Sequence, residues 1–403
     1  MRQQMARTLA VFGTMAASVL AFSGGNAAAQ TVSSDQPAGL IVFPRIVSDP
    51  NDIFQTGVAT DTVIQITNTD DSAHVVHCFF VNATGRCSTG VNEAGTPAAE
   101  CRTADDCLGA NPTCDPQWIP NNFDLVLSPN QPVGWVVSAG FDVGSPGAGG
   151  AQPVNTLYFE GELKCIEVDD DDVASSQVLP IDANDIQGSA TIYTYDQGDT
   201  IDTRSYSAVG IQAVTDGDTV DDIASDQVLC LGGNGIDGNV CETAEYAACP
   251  ARLILDHWFE GAAYNDGSVV STDITFAPCT ERFDTLDTDR VALQILTFNE
   301  FEQRLSSSAS VECVTTLNLS DISRIFDVSV QGTLTGQTSF RPVPSGVPGQ
   351  GVGVIAVAEE FISRDGRPTS STAFQVNQAG AQDGVADVVS FVLVVPTPTP
   401  VIP

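Results

Sequence analysis

Apolar and polar residues alternate with a period of two along much of this chain. In residues 157–166, Leu157, Phe159, Gly161, Leu163 and Cys165 share one side, and Tyr158, Glu160, Glu162, Lys164 and Ile166 share the other. Successive side chains of a strand point to opposite faces, so this pattern predicts a half-buried strand. Thr62, Ile64 and Ile66 repeat it around Gln65, and Val291, Leu293 and Ile295 around Ala292 and Gln294. Phe326, Val328 and Val330 alternate with Asp327 and Ser329, which predicts another strand. Residues 75–81 form an unbroken apolar run around His77, the pattern of a strand covered on both faces. Turn residues punctuate these segments at Asn68-Thr69-Asp70-Asp71, Ser128-Pro129-Asn130, Asp216-Gly217 and Asn265-Asp266-Gly267. Helical periodicity is nearly missing. Residues 241–248, stopped before Pro250, predict one short helix.

Many short strands with regular turns predict an all-β protein of two β-sandwich modules. Their expected limits are 38–214 and 253–395, with an acidic, Gly- and Cys-bearing connector at 215–252. A fixed offset of 192 aligns Leu125, Leu127, Ser128, Val136, Gly140, Gly144, Gly161 and Glu167 with Leu317, Leu319, Ser320, Val328, Gly332, Gly336, Gly353 and Glu359. That alignment raises an internal duplication as an expectation. The segments Asp61-Thr62-Val63-Ile64-Gln65-Ile66-Thr67-Asn68-Thr69 and Phe123-Asp124-Leu125-Val126-Leu127-Ser128-Pro129 resemble the immunoglobulin-like modules of exported bacterial proteins. The resemblance covers those strands only. It implies a fold and an exported location, and no activity.

The amino terminus reads as an export signal over residues 1–29. Arg2 and Arg7 precede an apolar stretch over 9–22, and Ala27-Ala28-Ala29 offers a small-residue cleavage site. No later apolar run approaches the roughly 20 residues of a membrane helix. No membrane insertion is therefore expected after signal removal. The Pro/Thr-rich tail at 396–403, with Pro and Thr alternating over Pro396–Pro400, reads as an extended spacer.

Charge narrows the choice of partners. The chain has 403 residues, with 15 Lys+Arg against 51 Asp+Glu, a formal net charge of −36. Nucleic acids and anionic membrane surfaces require a basic face, so both are excluded as partners. Hydrophobic residues make up 42% and mean hydropathy is +0.07, enough to bury cores. Asp supplies oxygen ligands suited to calcium, so a calcium-stabilised module is one reading of the acidity and solvated acidic loops are the other.

Eleven cysteines in an exported chain read as a disulfide framework, and an odd count leaves one thiol over. Cys87, Cys101, Cys107 and Cys114 lie in an insert at 87–122 with few apolar residues, which needs covalent staples. Around Asp105-Asp106-Cys107 it resembles the Cys-Asp-rich inserts of secreted bacterial proteins. With no C-x2-C pair, zinc is not expected at the cysteines. In the second half Cys279 and Cys313 are the expected partners, because antiparallel neighbours close in sequence meet most often. Pairing of Cys279 back to the 230–249 cluster is the alternative.

No catalytic or cofactor motif appears. The nucleophile elbow, H-E-x-x-H, the P-loop and G-x-G-x-x-G after a strand are all missing. Gly232-Gly233-Asn234-Gly235-Ile236-Asp237 matches half of a calcium β-roll repeat, but only once, and such folds need stacked copies. His74 and His77, three apart on a strand, face opposite sides and are not expected to share a metal. His257, in an apolar run, reads as a packed, hydrogen-bonded histidine, and Asp256 beside it should point away. The expectation is a non-enzymatic exported protein with a structural, surface or adhesive role, its partner a glycan, a protein or another surface component. An exported carbohydrate-active enzyme is the alternative.

Overall fold

The computed structural model describes residues 32–391, apart from 54–56, 83–84, 89–99, 102–106, 110, 112, 117–119, 142–149, 155, 157, 170–179, 197–198, 215–227, 234–240, 242–243, 264–265, 283–289, 344–351, 365–366 and 383–384. The expected export signal, most of the acidic run at 169–172, the body of the β-roll-like motif and the Pro/Thr-rich tail fall outside the described residues. The fold is all-β, with 66% strand and 4% helix. Five disulfides staple it.

An inner six-stranded sheet holds, in order, Val32–Ser33, Val209–Ile211, Leu40–Ser48, Phe159–Val168, His74–Asn82 and Pro120–Leu127. An outer four-stranded sheet holds Asp199–Ser207, Ile186–Asp196, Ala59–Asn68 and Pro132–Val136. Ile41, Phe43, Phe80 and Leu163 from the first pack on Ile64, Ile66, Trp135 and Ile192 from the second. Gly188 permits this closeness, since a Cβ there would sit 2.5 Å from the Phe43 ring.

Two sheets come from the second half. The far sheet runs Arg304–Glu312, Arg290–Asn299, Thr335–Val343, Pro250–Phe259 and Asn377–Ala381. The middle sheet runs Ala262–Ala263, Ser268–Pro278, Val354–Arg364 and Arg367–Gln375, with Thr315–Asn318 also paired to Ser268–Pro278. Leu253, Trp258, Leu293 and Phe340 of the far sheet meet Ile274, Phe276 and Ala356 of the middle one.

A third core joins the halves. On the other face of the inner sheet, Leu40, Val42, Phe79 and Ile166 pack on Leu229 and Val389, and on Ala277 and Ile355 of the middle sheet. Leu229 and Val389 belong to a three-stranded sheet in which Val228–Leu231 pairs with Asp387–Ser390, next to Glu281–Arg282. The connector thus contributes a strand that pairs with the far end of the chain. Two immunoglobulin-like modules are not what forms: five larger sheets pack through shared cores. Their face-to-face packing resembles that of propeller blades, although the strand orders are not the consecutive meanders of a propeller.

Three local expectations are also corrected. The Phe159–Val168 strand is buried along nearly its whole length rather than half-buried. Residues 326–330 do not form the expected strand. Arg324–Phe326 is a 3-10 turn and Val328–Gln331 a helical turn ended by Gly332 at φ 76°. Ser323 caps the first by accepting from the Ile325 amide. The 192 offset therefore sets Val136, on a strand, against Val328, on a helical turn. The helix expected at 241–248 is irregular backbone in its described part, where buried Tyr246 bridges to Ala213 and Leu231.

Candidate functional site

The solvent face of the outer sheet follows from strand periodicity. Gln65 lies opposite Ser189 and Gly134, Thr67 opposite Gln187 and Pro132, and Ser189 opposite Ser207, so all share one side. Their inward neighbours Ile64, Ile66 and Ala190 are buried. The face forms an open groove of about 380 Å³ lined by Gln65, Thr67, Val133, Gln187, Ser189 and Ser207. Gly134 adds no side chain beside Gln65, which keeps the floor low. Ser189 donates to Gln65 Oε1 at 3.4 Å, and the Thr191 and Ser205 hydroxyls are 2.8 Å apart. Among the described residues, no titratable side chain lines the groove. It can hydrogen-bond a neutral polar ligand.

Where Ala59–Asn68 and Ile186–Asp196 end and begin beside the inner sheet, His74 sits among three carboxyl groups. Its Nε2 is 3.2 Å from Asp70 Oδ2 and 3.6 Å from Asp185 Oδ2, and its Nδ1 is 3.2 Å from Glu167 Oε1. The hydrogen bond with His74 holds Asp70 down to about 2. Burial pushes Glu167 up to about 8. His77 has a separate partner, with Nδ1 2.5 Å from Asp124 Oδ1. No local pattern signals this cluster: Asp70 and His74 span a turn rather than a helix face, and Asp185 is over a hundred residues away.

Buried ion pairs join the halves. Lys164 Nζ donates to Glu281 Oε1 at 2.6 Å, to Glu162 Oε1 at 3.0 Å and to the Pro278 carbonyl at 3.0 Å. Arg45 bonds Glu160 and Glu359, and Arg204 bonds Glu359. Both arginines shield Glu359, whose carboxyl stays below its usual range although fully buried. These charges pair with one another, and the small cavity that Lys164 lines is otherwise apolar, which fits a structural role.

His257 is exposed and stacks on Phe374, with centroids 5.4 Å apart. A bulge between Leu255 and Trp258 leaves both Asp256 and His257 exposed, correcting the packed histidine expected there.

The insert is held by Cys87–Cys107 and Cys101–Cys114. Cys78–Cys165 ties two inner strands, and Cys230–Cys241 closes a loop of the connector. The expected Cys279–Cys313 pair is corrected: Cys279 joins Cys249, and Cys313 is the free thiol. The hairpin carrying Cys313 belongs to the far sheet, whereas Cys279 follows a middle-sheet strand beside Gly353. A Cβ on Gly353 would lie 2.3 Å from the Cys249 Cβ and 2.9 Å from the Cys279 sulfur. Burial and the nearby Glu281 push the Cys313 thiol well above its ordinary range, which disfavours the thiolate.

No family model matches the chain, and no curated protein matches it. Among solved structures it is similar to the CupB6 tip adhesin from Pseudomonas aeruginosa, at 10% identity over 85% of this chain and 93% of that one, with a TM-score of 0.12. A likeness that small carries no argument. The fold and disulfides define a covalently stapled all-β protein.

Proposed function

We propose that this is an exported, non-enzymatic binding protein of the surface or adhesive type, and that its outer sheet receives a neutral glycan. The carrying observation is the groove of amides and hydroxyls without an ionisable group. Sugar hydroxyls pair with such groups as donors and acceptors at once, and a shallow site suits a chain that lies along it. The disulfides support export, since they persist in oxidising compartments.

A glycan array probed with the full chain tests this reading. Binding of at least one neutral glycan is expected. Gln65→Ala and Gln187→Ala should each weaken it by about 2- to 10-fold, the worth of one hydrogen bond. An array with no signal, or binding unmoved by the double substitution, overturns the proposal. Release of new reducing ends from the bound glycan would show an enzyme instead.

A further inference from the structure

We propose that Asp70, His74 and Asp185 bind one divalent transition-metal ion, represented by zinc, and that Glu167 is the outer carboxylate orienting His74. This inference does not depend on the glycan reading.

Two independent observations converge. Asp70 Oδ2, His74 Nε2 and Asp185 Oδ2 all lie within 4.8 Å of one another. Two of those separations, 3.2 Å and 3.6 Å, match neighbouring ligands in a tetrahedral shell. With metal–ligand bonds of about 2.0–2.2 Å, such neighbours stand roughly 3.2–3.6 Å apart. Three protein ligands leave the fourth position for water or an outside ligand.

Glu167 supplies the second, independent observation. Its side chain is 0% exposed, and Oε1 points at His74 Nδ1 from 3.2 Å. That oxygen accepts no hydrogen bond of good geometry. The other oxygen, Oε2, accepts from the Asp185 backbone amide at 2.8 Å. One buried carboxylate therefore touches two of the three proposed ligands. In the metal-free chain His74 Nε2 is hydrogen-bonded to Asp70 Oδ2; a carboxyl group at the far nitrogen favours the Nδ1–H tautomer, so that a metal can displace the proton from Nε2. A solvated acidic loop has no reason to bury such a group.

The loop geometry is also built. Ser72 N–H donates to Asp70 Oδ2 at 3.1 Å, and Thr69 donates to the Asp185 carbonyl through both its amide, at 2.8 Å, and its hydroxyl, at 2.9 Å. Asp70 and Asp185 side chains are 34% and 32% exposed, so an ion can enter. Charge agrees as well, because two partly exposed aspartates flank one imidazole. An imidazole ligand favours zinc-like ions over calcium, which takes oxygens.

Calorimetric titration of the full chain with zinc, in buffer holding excess calcium to occupy diffuse acidic sites, tests the proposal. One zinc per chain is expected, with Cys313→Ser binding equally well. His74→Ala and Asp185→Asn should each weaken binding at least 10-fold, and Glu167→Gln by about 10- to 100-fold. Circular dichroism checks that each variant folds; Asp185→Asn, at a half-exposed position, decides if His74→Ala does not. Absence of zinc binding by the parent chain overturns the site. So does binding unchanged in Asp185→Asn, or displacement of zinc by calcium.

Discussion

The strands Phe159–Val168 and Arg304–Glu312 both alternate in sequence, yet their polar faces meet opposite fates. Arg304–Glu312 is the edge of the far sheet, and Ser306, Ser308 and Ser310 face water. Phe159–Val168 lies inside the inner sheet, and Glu162 and Lys164 on its polar face are buried. The difference is what lies above each polar face. The middle sheet and the Glu281 strand cover the inner one, bringing the Pro278 carbonyl and a carboxylate to Lys164. Nothing among the described residues covers the serines. Alternation therefore fixes that a strand has two faces, and the next layer decides whether the polar one is wet.

If covering is what matters, breaking the inner strand should cost far more than altering the edge. Replacing Cys78 and Cys165 together by Ala should cost the most. The 87-residue separation they span gives about 4–5 kcal/mol in the chain-entropy view. Urea unfolding at constant pH measures it. Lys164→Met should follow, at about 3–5 kcal/mol, because it strands the Glu162 and Glu281 carboxylates without a cation. A loss under about 1 kcal/mol would mean that water reaches this face, as it does the serines.

Glu260 sharpens the contrast, as a largely buried carboxylate with no cation beside it. It accepts from the Thr272 amide at 3.1 Å. Burial pushes it from 4.5 up to about 7. The folded state then keeps a proton that the unfolded chain releases above pH 4.5, so stability falls as pH rises from 4.5 to 7. Glu260→Gln should flatten that part of the stability–pH curve, read from melting temperatures across the range. The smallest effect is expected at the edge: Ser308→Thr should change unfolding free energy by less than about 0.5 kcal/mol.

Much of this was legible from local pattern. The apolar run at 75–81 is a strand covered on both faces, as its composition predicts. Ile64, Ile66, Val291, Leu293 and Ile295 all point into cores. The helical turns at 324–331 were hidden because Phe326, Val328 and Val330 fit a period of two, whereas the backbone obeys the Ser323 cap and the Gly332 stop. The groove's polar row was written in the alternation around Gln65, but its neighbours Gln187 and Ser207 join it only through strand register.

By itself the sequence determined an acidic all-β chain with a stapled insert, because periodicity, charge and cysteine count act over a few residues. Tertiary structure alone decided that Cys279 meets Cys249, that Lys164 is buried, and that Asp70, His74, Glu167 and Asp185 converge. Each of these depends on which distant strands become neighbours. Pairing between strands is set by shared burial across the whole chain, and a one-residue pattern carries no record of it.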